Sequence, residues 1–265
     1  MRAKYSFIFT IVLSVVAILV SSVYAEIEPE TIIGLWMFDE GEGDVAGDSS
    51  ENGLDGQIMN DANWVDGKFG DALELDGIND YVDLGTDERL KPQRLTIMAW
   101  FNTRKLNGYG HIFQTGNDWD DIAGIVFRVH QDGYFQAAVT QGPGNTASWV
   151  NGPGLSAETW YHAALTFDGT TIILYIDGVE VARTAGAEVF YDQWPARIGS
   201  HSHAVSSLFD GFIDEVAYFS EALEEKDVLA IMNQGLEEIV GATAVSSSGK
   251  LATTWGGVKG YGVHR

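Results

Sequence analysis

The loop GNDWDDIAG, residues 116–124, sets one indole, Trp119, among the carboxylates of Asp118, Asp120 and Asp121. A flat apolar ring beside directional polar groups is the combination that holds a sugar ring. The loop lies between two strand-like runs, so it belongs to the rim of a fold, and neighbouring loops supply Asn107, Tyr109 and Trp149. Tyr109, Asp118, Trp119, Asp120, Asp121 and Trp149 are therefore the candidate ligand contacts. Each aromatic has an alternative place in a core, where the strand residues Trp100 and Trp160 are expected. His201-Ser202-His203 has donors for a metal, but a polar loop explains the same residues. With no cysteine in the chain, thiolate metal sites and cysteine nucleophiles are excluded. No Gly-x-Ser-x-Gly elbow occurs. Asp214 and Glu215 are adjacent and should point to opposite faces of a strand.

The elements that must position these residues are short. In WYHAALTFDGTTIILYIDGVEVA, Trp160 to Ala182, apolar residues Tyr161, Ala163, Leu165 and Phe167 alternate, and Asp168-Gly169 and Asp177-Gly178 supply tight turns. This predicts three antiparallel strands, since glycine accepts the positive φ that two-residue loops need. Similar runs, such as Leu95–Phe101, Ile122–Val129, Tyr134–Val139 and Phe212–Phe219, recur between Gly- and Pro-containing breaks. Many short strands at such spacing predict an all-β, two-sheet antiparallel sandwich. One helix is expected over Glu224–Gln234, with Val228, Leu229, Ile231 and Met232 on one face and Gly235 as its stop.

The ends differ from this body. Arg2 and Lys4, the apolar run Phe7–Val20 and Val23-Tyr24-Ala25 have the three parts of a secretory signal. Residues 1–25 are thus expected to be cleaved and the protein to be secreted or extracytoplasmic, meeting a membrane only through this segment if it is retained. Its removal leaves 13 basic against 38 acidic residues, a formal charge of −25. So acidic a chain repels phosphate backbones, which argues against nucleic-acid partners. Stability in an exported chain without cysteine must come from its core. Residues 241–265 carry Lys250, Lys259 and Arg265, no acidic residue and much Ser, Thr and Gly, and read as a basic, flexible tail.

Four stretches in order resemble the LamG-like (laminin-G-type) jelly-roll domain of the concanavalin A-like lectin/glucanase superfamily. They are GLWMFDEGEGDVAGDSSENGLDG from Gly34, GKFGDALELDGINDYVDLG from Gly67, the Trp160–Ala182 stretch, and FDGFIDEVAYFSEALEEKDV from Phe209. The resemblance implies a jelly roll of about a dozen strands over residues 26–240, with first and last strands adjacent. Glu224 stands where the family usually caps the helix with Ser or Thr. His162 matches a core strand position and is expected to be hydrogen-bonded inside the sandwich. Several relatives hold a structural ion where the terminal strands meet, so Asp39 and Asp214 are the candidate calcium ligands. Laminarinase-type relatives place catalytic carboxylates as E-x-D-x-x-E; here Glu74 and Asp76 match, but Asn79 takes the third place. Glu74 then reads as a solvent-facing strand residue and Asp76 as a turn former.

The sequence thus points to a non-catalytic module that binds an extracellular glycan or glycosylated surface. A structural or adhesive cell-envelope protein making protein contacts is the alternative, and a glycoside hydrolase of the same fold comes third.

Overall fold

A computed structural model describes residues 27–241, apart from 51, 118–122, 142–146 and 240. The leader 1–25, the tail from 242 onward and the loop residues Asp118, Trp119, Asp120 and Asp121 lie outside the described residues.

The described chain folds as a sandwich of two antiparallel sheets with one C-terminal helix. The strands are β1 (Ile32–Trp36), β2 (Val45–Ala46), β3 (Gly56–Met59), β4 (Asn63–Asp66), β5 (Asp71–Asp76), β6 (Tyr81–Gly85), β7 (Leu95–Thr103) and β8 (Gly110–Thr115). Then come β9 (Ile125–Val129), β10 (Tyr134–Thr140), β11 (Ala147–Gly154), β12 (Trp160–Phe167), β13 (Thr171–Ile176), β14 (Val179–Ala185), β15 (Ala196–Ile198) and β16 (Asp210–Phe219). Sixteen described strands exceed the expected dozen, because four of them, β2, β3, β4 and β15, are only two to four residues long. The first sheet runs β14-β13-β12-β7-β16-β5-β4, and β1 also pairs with β16. The second runs β11-β10-β9-β8-β15-β6-β3-β2. The Trp160–Ala182 stretch forms the expected three strands. Asp168 Oδ1 accepts the backbone N–H groups of Thr170 and Thr171, and Asp177 turns with φ 49°. Both are turn residues.

Alternating residues of both sheets meet between them. Phe101 of β7 lies 5.3 Å from Phe135 and 6.4 Å from Phe209, centroid to centroid. A second apolar cluster covers the outer face of the first sheet. There Leu35, Met98, Ala164, Ala217 and Phe219 meet Val228 and Ile231 of helix α1 (Glu225–Gln234), which begins after Glu224 and ends at Gly235. The helix thus closes the fold on the outside of the strand pair β1/β16. Glu224 does stand at the N-cap and its side chain makes no cap hydrogen bond.

The outer face of the first sheet also holds three residues that the sequence suggests are interior. Phe101 points to the core, so its neighbours Trp100 and Asn102 point outward. In register with them lie His162 beside Trp100 and Trp160 beside Asn102. Trp100 is buried as expected, but on this outer face and not between the sheets, and Trp160 is only half-buried there. His162 is buried against the Trp100 ring, edge to face at 5.3 Å. Its Nδ1 has no hydrogen-bond partner, and burial pushes its pKa down to about 3, so the ring is neutral.

Candidate functional site

Two places bring chemically able side chains together. The first is the solvent-facing side of the second sheet. Phe127 and Val129 of β9 face the core, which turns Arg128 outward. Arg128 stands beside Gln136 of β10 and His111 of β8 in register. Its Nε and Nη2 donate to Gln136 Oε1 at 3.1 and 2.8 Å. Gln136 Nε2 in turn donates to Asn151 Oδ1 at 3.1 Å. The guanidinium lies 4.2 Å from the Tyr109 ring centroid and 5.1 Å from that of Trp149. A planar cation between two rings fixes both by cation–π attraction.

Histidines set the rest of the frame. His111 Nδ1 faces the Ser207 carbonyl at 3.3 Å, which makes Nδ1 the donor and leaves Nε2 to accept from Arg128 Nη1 at 3.4 Å. His130 Nδ1 accepts the Asp132 backbone N–H at 3.2 Å, so its Nε2–H is directed to the Tyr109 hydroxyl at 3.3 Å. Burial lowers the pKa of His130, with the Asp132 carboxylate opposing and Arg128 reinforcing the shift. Tyr134 stacks on His130 at 4.3 Å. Tyr109 and Trp149 remain half-buried and Asn151 exposed. The face therefore offers fixed aromatic surfaces with an amide at their edge.

Of the sequence candidates, the structure brings Tyr109 and Trp149 together across Arg128. Sequence reasoning missed Arg128, Gln136 and Asn151, although Arg128 occupies the outward phase of an alternating run.

The second place is where the terminal strands meet. β1 and β5 both pair with β16, one at each half of it. Between them the pairing with β7 breaks at Asp214–Ala217, and Glu215 adopts φ 53°. This bulge adds a residue and re-aims side chains. Asp214 and Glu215 consequently do not point to opposite faces. Asp214 Oδ2 accepts the N–H groups of Lys68 and Phe69 at 2.7 and 3.0 Å, and Glu215 Oε2 accepts the Leu236 N–H just after the helix. Asp39 reaches the same turn from the other side, accepting the Asp71 N–H at 2.8 Å. The turn needs glycine: Gly70 has φ 55° and a Cβ there would run into Asp39 Oδ1.

This cluster is poor in compensating charge. Burial raises the pKa of Asp214 to about 7, opposed by its two backbone donors and reinforced by the charge of Asp39. Burial likewise raises Glu215 to about 8, with the Leu236 N–H opposing and Asp214 and Asp39 reinforcing. Asp214 Oδ1 is buried with no hydrogen-bond partner. A hard cation is the natural partner for such an oxygen, and the all-oxygen donor set fits calcium. Among the described residues no group of three or more His, Asp or Glu side chains converges as metal ligands.

The carboxylates suggestive of hydrolysis are otherwise engaged. Glu74 is not a free solvent-facing group: with Asp210 it holds Arg104 in an ion pair on the outer face of the first sheet. Asp76 is a turn former, accepting the Ile78 N–H at 2.7 Å. His201-Ser202-His203 is a loop in which His201 Nδ1 accepts the His203 N–H at 3.0 Å. Among the described residues no helix is long and apolar enough to cross a membrane.

Solved structures of the same architecture are numerous. Domain 4 of AbnA, a GH43 extracellular arabinanase from Geobacillus stearothermophilus, solved with arabinotriose, is 21% identical with TM-score 0.57. That match covers 76% of this chain and 98% of that one. The CBM40 of Ruminococcus gnavus IT-sialidase, bound to α2,3-sialyllactose, is 14% identical with TM-score 0.52, covering 61% of this chain and 96% of that one. The binding domain of Paraclostridial Mosquitocidal Protein 1 is 16% identical with TM-score 0.62, and the match covers 77% of this chain and 52% of that one, about half its length. At these identities the likeness is one of fold. No curated protein sequence matches the chain. The Laminin_G_3 family model matches residues 76–229, more than half of the sequence, and so the chain belongs to the concanavalin A-like lectin/glucanases superfamily.

Proposed function

We propose that this protein is a secreted, non-catalytic carbohydrate-binding module whose ligand lies on the solvent-facing side of the second sheet, against Trp149, Tyr109 and Asn151. The observation that supports this most is the Arg128 guanidinium clamped between two aromatic rings and tied through Gln136 to Asn151. Stiff aromatic surfaces lose little entropy on binding, and the amide gives direction to hydroxyl contacts. The neighbours solved with arabinotriose and sialyllactose lend the same fold to glycan recognition.

Calcium belongs to this reading as a structural ion. Asp214 and Asp39 would hold it, supplying negative oxygens whose mutual repulsion it would cancel. Its role would be to fix the 67–70 turn against the terminal strands.

Non-catalytic binding is favoured because Glu74 is bound to Arg104 and Asp76 to its own turn. The test measures binding and cleavage on one panel of neutral and acidic oligosaccharides. Calorimetry should show saturable binding, while reducing ends stay at the level of a no-protein control. Release of reducing ends that scales with protein concentration would make the chain a hydrolase.

A further inference from the structure

The opposite side of the molecule carries a second aromatic pair. Phe212 of β16, Asn102 of β7 and Trp160 of β12 lie in one transverse row across the outer face of the first sheet. Two strand spacings separate Phe212 from Trp160, on the order of 9–10 Å. Yet their rings lean together to a centroid distance of 6.2 Å, tilted by 39°. They meet over Asn102, whose side chain is nine-tenths buried and whose Oδ1 accepts no hydrogen bond. Both rings stay partly exposed. Helix α1 covers this sheet only farther along, over Met98 and Ala164.

A buried amide oxygen without a hydrogen bond is destabilising, so the row maintains an unfavourable group at its centre. Oδ1 is closed to solvent beneath the rings, so a ligand hydroxyl meets it only where the two rings part. There the hydroxyl donates to Oδ1, and if the amide were turned it would accept from the amino group instead. Beside Phe212, the Arg104 guanidinium stacks at 5.1 Å. Its nitrogens are already committed to Asp210, Glu74 and the Leu75 carbonyl. The cation is thus neutralised in place and acts to position Phe212. Two carboxylates against one guanidinium leave the rim net negative. Their remaining oxygens accept hydroxyl protons and repel anions.

We infer that the Trp160–Phe212 pair over Asn102 is a second glycan site, selective for a neutral, hydroxyl-rich sugar ring, on the face opposite Trp149. This rests on the glycan-binding reading above and makes the module bivalent. Two sites on opposite faces cannot grip one short oligosaccharide together, so their combined effect is to bridge separate chains of a polysaccharide.

The test is an NMR titration of the whole chain that follows the indole N–H resonances of Trp160 and Trp149. The probes are arabinotriose, xylohexaose, cellohexaose and laminarihexaose, with sialyllactose as the acidic control. At least one neutral probe should shift the Trp160 indole, with a midpoint distinct from that of Trp149. Asn102→Ala should raise the Trp160 midpoint about fivefold or more and leave the Trp149 midpoint unchanged. Because the wild-type titration needs no variant, an unstable Asn102→Ala chain does not blunt the test. A Trp149 shift with Trp160 unmoved overturns the second site alone. A Trp160 shift with Trp149 unmoved upholds it and removes the first. No shift at either indole overturns both, and a Trp160 shift with sialyllactose only overturns the neutral-sugar assignment.

Discussion

In the presence of a chelator, the melting temperature of the whole chain should fall as the pH is raised from about 5 to about 8. Unfolded, the Asp214 and Glu215 carboxyls ionise near 3.8 and 4.5; folded, they hold their protons up to about 7 and about 8. Across that window the native state binds more protons, so stability declines with rising pH and the loss is complete above about 8. Each unit of pKa shift corresponds to about 1.4 kcal/mol. The two carboxyls repel one another, so their shifts do not add in full; a combined loss on the order of 3 kcal/mol, under half the simple sum over this window, would lower the melting temperature by roughly 10 °C in a domain of this size. Calcium at millimolar concentration should abolish most of the decline, because it replaces the proton as the partner of the buried oxygens. Asp214→Asn separates this from the general repulsion of an acidic chain. It keeps a side-chain oxygen for the Lys68 and Phe69 N–H groups but removes the charge, so the slope and the calcium response should both shrink. A chelated melting temperature that is flat or rises over this range contradicts the buried carboxyl pair. Equal melting temperatures with calcium and chelator at pH 8 contradict the ion.

Trp149→Ala should weaken glycan binding by about thirtyfold or more, the size of loss expected for a central aromatic anchor. The indole is half-buried on β11 at the end of the second sheet, opposite the small Ala138. Its removal opens solvent-facing space instead of a core cavity, so the fold should persist. It also frees one side of the Arg128 clamp, and the loss therefore includes disorder of the guanidinium and of its hold on Gln136. Trp149→Phe keeps a ring there and should recover part of the affinity. Titration calorimetry alongside a thermal melt checks both statements. A folded Trp149→Ala chain that binds like the wild type would remove this face from recognition.

Most of the architecture is legible in the sequence because short-range rules set it. Alternation in Tyr161–Phe167 and the Asp-Gly turns define three strands directly, and the apolar face of Val228 and Ile231 places the helix. The alternation of Tyr161–Phe167 also turns Trp160 and His162 to the other face, but the sidedness of Trp100 is not legible. All nine residues of β7 are buried, since helix α1 and the 67–70 turn cover the outside of that strand. A strand buried on both faces has no polar phase to mark which side is the core. The bulge at Glu215 is hidden for a related reason: its extra residue is dictated by the pairing of β16 with β7, more than a hundred positions away. Asp39 and Asp214 stand as candidate calcium ligands through the resemblance of the terminal strands, and the chelator melts test that role, whereas nothing in the sequence marks Glu215 as turned to the same side. The clamp on the second sheet was half legible. Arg128 shows in the alternation of Ile125–Val129, but its meeting with Tyr109 and Trp149 depends on the order of strands in the sheet.

The module reading stands or falls on whether the whole chain binds carbohydrate at all. A glycan array probed with the wild-type chain, once in calcium and once in chelator, measures this most directly. Dose-dependent binding to a defined group of glycans is expected, stronger in calcium at pH 8 because the ion holds the terminal strands together. Absence of binding under both conditions, by a chain shown to be folded, would contradict it and would favour a protein-contact role for the same sandwich.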